Sequence, residues 1–202
     1  TVFAIALFTF GSTVEPTASF WDAGEYIATS AKLQVGHPPG APFFQMMGAF
    51  FALFASSPEK IALMVNYMSV FSSAFTILFL FWTITLLLRK LPGFKSIDSL
   101  SERIGFFGSA TVGSLAFCFS DSFWFNAVET EVYAMATLIL AILFWMGLKW
   151  EQEMNTPRGD RWLLMIAFVI GLSFGVHFMG LLTIPAIGMI YYCLLYTSDA
   201  AD

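Results

Sequence analysis

Apolar runs close to the length of a membrane crossing, separated by short polar stretches that hold nearly all the charge, decide what this chain can become. The runs are Ile61 to Leu88, Ile104 to Ser120, Val132 to Leu148 and Trp162 to Met179. A stub from Val2 to about Gly11 precedes them, and Leu181 to Tyr192 starts a further one. A helix needs roughly 20 apolar residues to span hydrocarbon, and in lipid only a helix or a closed barrel satisfies its own backbone. Charged residues make up only 11% of the chain and apolar ones 58%, far from the roughly 25% charge of a soluble domain. The expected fold is therefore all-α, a polytopic transmembrane helix bundle.

Basic residues orient the bundle. Arg89, Lys90, Lys95 and Arg103 share one loop, and Lys149, Arg158 and Arg161 share the next but one, which accounts for seven of the nine Lys and Arg. Cationic loops stay on the cytoplasmic side. The segments between them then face outward, and they carry Glu15, Asp22, Glu25, Glu59, Asp121, Glu129 and Glu131. The first outward segment is about 45 residues, long enough for structure of its own. We expect two short interfacial helices there, one over roughly Asp22 to Leu33 with a weak apolar face of Ile27, Ala28, Ala31 and Leu33, and one over Pro42 to Phe54. The second is too short to span, and counting it as a span would move the Arg89 loop outside.

The outward segments also hold the groups capable of chemistry. Asp22 and Glu25 are three residues apart and share a helix face. At a membrane surface such carboxylates can take a proton from a hydroxyl or hold a divalent cation near a phosphate, although acids also suit a helix start for electrostatic reasons alone. His37 opens the sequence His37-Pro38-Pro39-Gly40, which must break any helix. Lys32 lies between the acids and His37, placed either to neutralise a departing phosphate or simply to snorkel. The second outward segment interleaves Trp124, Asn126, Glu129, Glu131 and Tyr133. Aromatics mixed with amides and acids suit a sugar, and aromatics alone suit a membrane interface. His177 sits near the outer end of its run among Gly171, Gly175 and Gly180, which read as close helix packing. Cys118 and Cys193 give no disulfide framework. No P-loop or dinucleotide fingerprint is present, and nothing points to nucleic acid.

These motifs bear a resemblance. Asp22-Ala23-Gly24-Glu25, His37-Pro38-Pro39-Gly40, Trp124 with Glu131-Val132-Tyr133, and Gly171-Leu172-Ser173 with His177 resemble the GT-C membrane glycosyltransferases. Within these they resemble a bacterial domain-of-unknown-function family related to the eukaryotic transmembrane O-mannosyltransferase. The resemblance covers about residues 3 to 192 and implies a GT-C-like domain over 1–192, cut at both ends. The last ten residues, CLLYTSDAAD, read as non-native read-through. It implies an enzyme of the bacterial inner membrane with its site facing the periplasm. The donor would be a polyprenyl-phosphate-linked, mannose-like sugar and the acceptor a protein Ser/Thr hydroxyl or a glycan. Asp22 would be the catalytic base, and Glu25 its partner or a cation ligand. His37 would sit near the lipid phosphate, with Lys32 as its counter-charge, and Trp124, Asn126, Glu129, Glu131, Tyr133 and His177 would wall the substrate site. A divalent cation is an option within the family and no other cofactor is implied. The rival readings are a transporter or flippase for a lipid-linked sugar and a noncatalytic membrane scaffold.

Overall fold

The computed structural model describes residues 1–94 and 97–199, with side chains through residue 193. Lys95 and the end of the expected tail, 200–202, lie outside the described residues. Among the described residues the chain is helical and contains no strand. The helices are α1 (Val2–Ser12), α2 (Ala23–Lys32), α3 (Pro42–Ala52), α4 (Ile61–Leu88), α5 (Leu100–Cys118), α6 (Asp121–Ala127), α7 (Val132–Glu153), α8 (Gly159–Ser173) and α9 (Thr183–Asp199).

Two helices organise the bundle. α4 packs against α1, α5 and α7, and α7 packs in turn against α8 and α9. α4 (with the single turn before it) and α7 are long and apolar enough to cross a membrane. α5 and α6 together pass the same test but bend by 69° at Phe119–Ser120. The serine at the α5 start forms a capping box with Glu102, which fixes where that helix begins.

α8 is shorter than the Trp162 to Met179 run predicts. It has 15 residues and ends at Ser173. The Gly175 carbonyl has turned out of the helix to receive the backbone N–H groups of Phe43 and Phe44 at 2.8 and 3.1 Å. That contact supplies the free amides at the start of α3 with an acceptor. It also explains why residue 175 is glycine, since a Cβ there would lie 2.7 Å from that of Phe43. Gly180 abuts Ser173 in the same way. Gly171 has open space around it, so the packing role expected of all three glycines holds for two.

α2 and α3 appear where expected and pack on each other. The packed face of α2 differs from the one read from the sequence. Ala23, Tyr26, Ile27 and Ser30 are buried, whereas Ala28, Ala31 and Leu33 are exposed. The cause is polar. Gln45 of α3 donates to the Thr29 hydroxyl at 2.9 Å, and Ser30 fills the space above Gly48. A face closed by hydroxyls and a glycine is invisible to an apolar periodicity.

The two outward segments are laced together across α4. Glu15 N–H donates to the Val128 carbonyl at 2.9 Å. Asn66, buried near the start of α4, donates through Nδ2 to the carbonyls of Glu15 (2.6 Å) and Thr17 (2.9 Å), and its Oδ1 accepts from the Thr130 hydroxyl. Ser19 donates to Glu129, and Asp22 N–H donates to Glu131 Oε1 at 3.2 Å. At the other end of the bundle Lys90, just past α4, pairs with Glu151 in the last turn of α7. That contact places the two basic loops together, as the charge pattern predicts.

Candidate functional site

Two cavities open between the laced segments. The larger, about 340 Å³, is walled by Asp22, Tyr26, His37, Glu131, Tyr133 and His177, with Phe174, Val176 and the Pro39–Ala41 turn closing it. The smaller, about 280 Å³, is walled by Trp21, Asp22, Phe125, Asn126, Glu129, Glu131 and Tyr133. Asp22, Glu131 and Tyr133 belong to both, so these three residues form the partition.

The first wall is built by α2 and the turn that follows it. Glu25, in the first turn of α2, receives the His37 backbone N–H at 2.6 Å on one oxygen and faces His37 Nδ1 at 3.1 Å with the other. Gly36 makes room for this return, since a Cβ there would meet Gln45 at 2.8 Å and Glu25 at 3.2 Å. The hydrogen bonds from His37 hold the Glu25 carboxyl below its ordinary value. Glu25 thereby sets the ring: Nδ1–H points at Glu25, and Nε2 lies 3.9 Å from Asp22 Oδ2. Gly40 completes the turn at φ 82°, its N–H bonded to the His37 carbonyl.

Glu131 forms the second wall. It immediately precedes α7, yet its carboxyl is turned to the Asp22 backbone and is only 6% exposed. Burial, reinforced by the Asp22 charge, pushes it up to about 7. Burial also pushes up Glu129, against the lowering effect of the Ser19 hydroxyl. Tyr26 packs edge-on to Phe44 and near the His37 ring. Burial and then the charges of Glu131, Asp22 and Glu25 raise its phenol to about 12, so it stays a neutral donor.

His177 closes the third wall. Its Nδ1 accepts the Met179 N–H at 3.2 Å, and its ring lies 5.4 Å from that of Tyr133. With Nδ1 accepting, the neutral ring carries its proton on Nε2, a donor available to an anion.

Eight of the ten expected site residues therefore converge: Asp22, Glu25, His37, Asn126, Glu129, Glu131, Tyr133 and His177. Two do not. Lys32 ends α2 on the exposed surface and lines neither cavity. Trp124 donates to the Thr13 hydroxyl at 3.0 Å and packs on Phe10 and Phe119, which ties α6 to α1. Neither cavity is lined by Lys or Arg. Sequence reasoning missed Tyr26 and Trp21. Trp21 directly precedes Asp-Ala-Gly-Glu and was the available signal.

Asp22, Glu25 and His37 also bring one ligand atom each within 4.8 Å of one another. Both Glu25 oxygens are already engaged by His37, which leaves one carboxylate and one ring nitrogen. A hard divalent cation takes six or more oxygen-rich ligands. The arrangement forms a hydrogen-bonded chain from Glu25 through His37 toward Asp22, and a cation held there would take most of its ligands from water.

Beneath the larger cavity a third space of about 350 Å³ lies between α3, α4, α7 and α8, with an almost wholly apolar wall that includes Phe43, Met47, Phe51, Phe75, Leu138 and Ile142. Of the neighbouring apolar residues on α3, Phe44 is fully buried in the core and Met46 faces outward, so neither lines this space.

A helical membrane bundle with acids, histidines and aromatics gathered at one end, above an apolar chamber, defines a membrane protein with a polar site set over a greasy one. The chain belongs to the family of the protein O-mannosyl-transferase TMEM260 N-terminal domain, whose model matches residues 22–200. It is 23% identical over 154 residues to the protein O-mannosyl-transferase tmem260 of Dictyostelium discoideum, covering 76% of this chain and 17% of that protein. It is 26% identical over 173 residues to protein O-mannosyl-transferase TMEM260 of Mus musculus, covering 85% of this chain and 22% of that protein. The chain thus spans about a fifth of the length of these curated relatives. No solved structure matches it significantly. The family is the one that the Asp-Ala-Gly-Glu and His-Pro-Pro-Gly motifs suggest.

Proposed function

We propose that this chain forms the sugar-transfer site of an integral membrane glycosyltransferase of the GT-C type, which moves a mannose-like hexose from a polyprenyl phosphate to a Ser or Thr hydroxyl of a protein. One observation carries the reading: residues from four separate segments, Asp22, His37, Glu131 with Tyr133, and His177, face one cavity directly above an apolar chamber. That combination suits a donor with a polar head and a lipid tail. The names of the relatives support the reaction class.

The step proceeds as follows. The acceptor oxygen attacks the anomeric carbon, the bond from that carbon to the phosphate oxygen breaks, and polyprenyl phosphate leaves. The hydroxyl proton passes to the acid pair on the partition. Asp22, the more exposed of the two, faces the developing positive charge of the sugar. Glu131, held near 7, is matched to accept a proton at neutral pH. The family resemblance implies Asp22 as the base with Glu25 as its partner or a cation ligand, and the burial of Glu131 supports dividing the role between Asp22 and Glu131. His177 Nε2–H and His37 stand on the phosphate side, and the tail extends along Phe43, Met47 and Phe51. The cavities lie opposite the basic loops, which supports a site on the periplasmic side of a bacterial inner membrane.

The test is transfer of labelled sugar from a mannosyl polyprenyl phosphate to a threonine peptide by the full-length protein. Asp22→Asn and Glu131→Gln should each lower kcat by about a hundredfold or more at equal membrane abundance. Normal transfer by both variants would refute the assignment.

A further inference from the structure

We propose that the smaller cavity is the acceptor site and takes a hydroxyl-bearing peptide segment, while the histidine-lined cavity takes the donor. This rests on the glycosyltransferase reading and adds the division of the two substrates across the Asp22–Glu131 partition.

Charge separates the cavities. Asp22, Glu129 and Glu131 line the smaller one, and no histidine, lysine or arginine does. Both cavities share Asp22 and Glu131; the smaller adds Glu129, which repels a phosphate, whereas the larger adds two histidine rings able to donate to one. An uncharged segment rich in N–H and O–H donors meets the opposite situation. Glu129 is 3% exposed; its Oε2 accepts from Ser19, but its Oε1 is buried and without a partner. A buried carboxyl oxygen left without a donor is costly, so the Glu129 wall favours hydrogen-bond donors over anions. Asn126 uses one amide hydrogen on the Ser122 carbonyl, which leaves its own carbonyl and second hydrogen for a peptide group.

Shape agrees with charge. Phe125 and Tyr133 are about half exposed, and Trp21, held at φ 58°, is 86% exposed. These rings provide flat apolar walls beside the acids, suited to the side chains that flank a hydroxyl residue. A hydroxyl reaching the partition from this side meets Asp22 and Glu131 from the face opposite the donor. That arrangement provides the in-line approach that displacement at the anomeric carbon requires.

The experiment measures two affinities on the purified full-length protein: one for a synthetic peptide bearing a single threonine, with its alanine twin as control, and one for mannosyl polyprenyl phosphate. Asn126→Leu and the exposed-residue variant Phe125→Ala should each weaken peptide binding by about tenfold and change donor binding by less than about twofold. His177→Ala should do the reverse. Peptide binding unchanged in both cavity variants, or donor binding falling as much as peptide binding, overturns the division. Failure of the wild-type protein to transfer sugar counts against the glycosyltransferase reading alone, because the two affinities still report which cavity the peptide occupies.

Discussion

The two ends of this bundle are held by different physics. At the basic end the helices meet solvent through long side chains: Lys90 pairs with Glu151, Lys149 lies 3.8 Å from Glu153, and the Arg89 guanidinium sits over the Phe106 ring. The ion pairs keep 21 to 44% of each side chain exposed to solvent and are individually weak. At the acidic end the chain leaves helical geometry repeatedly, and the stretches at 13–22, 33–41 and 174–177 are each tied down by a polar bond to a distant segment or to the preceding helix, the one through Asn66 from a buried side chain. A buried hydrogen bond is modest when made and expensive when broken, so it specifies one arrangement more sharply than a surface pair does. The difference locates the site. The end that holds irregular backbone with buried polar groups is the end where side chains from distant segments must stay in register.

The comparison breaks first at Asn66. Its amide serves two carbonyls of the first outward segment and its oxygen serves Thr130 of the second. Asn66→Leu keeps the approximate volume and orphans all three, so we expect a loss on the order of 3 kcal/mol. Unfolding of the full-length protein in detergent measures it, and transfer activity should fall at temperatures where the bundle persists, because both cavity walls lose their common anchor. A stability loss below about 1 kcal/mol would show that the lacing is decorative.

The sequence alone made the helical membrane bundle and the gathering of the two basic loops at one end legible, because hydropathy and basic loops are local signals. It also located α2 and α3, and it grouped Asp22, Glu25 and His37, which lie within one segment and meet in the structure. It did not show which acids are buried. Glu131 becomes central only because residues 15–22 fold back along 128–131, a pairing more than a hundred positions apart in sequence that no periodicity encodes. The packed face of α2 was misread because hydroxyls and Gly48 close it. α8 was drawn too long because apolar composition continues through 174–179 while the Gly175 carbonyl is committed to α3. Lys32 has suitable sequence neighbours, but the helix turn that brings Asp22 and Glu25 toward the cavity leaves it outside.

A second way to sharpen the contrast uses pH. The folded Glu131 carboxyl is raised from 4.5 to about 7. The folded state therefore binds the proton more tightly than the unfolded chain does. Its contribution to stability is full below pH about 4.5 and is lost as pH rises through about 7. Between pH about 6 and 8.5 the wild-type protein should lose about 1 kcal/mol more than Glu131→Gln. Thermal unfolding against pH reads this, and parallel curves would remove Glu131 as the titrating group. The same variant should also abolish the rise of kcat/KM through pH about 7.

The smallest effect belongs to the basic end. Lys90 is 44% and Glu151 21% exposed, and each can keep its charge in water when the other is removed. Lys90→Ala should cost less than about 1 kcal/mol, and adding salt should erase most of the difference from wild type. A loss approaching that of Asn66→Leu, or one that salt leaves unchanged, would mean that the pair is desolvated by its neighbours. The basic end would then be holding the helices in register just as the acidic end does. The small value expected here follows from the same rule that makes Asn66 costly: what decides the energy is whether water can replace the lost partner. At Lys90 it can, and beneath the two cavities, where Asn66 bridges the outward segments, it cannot.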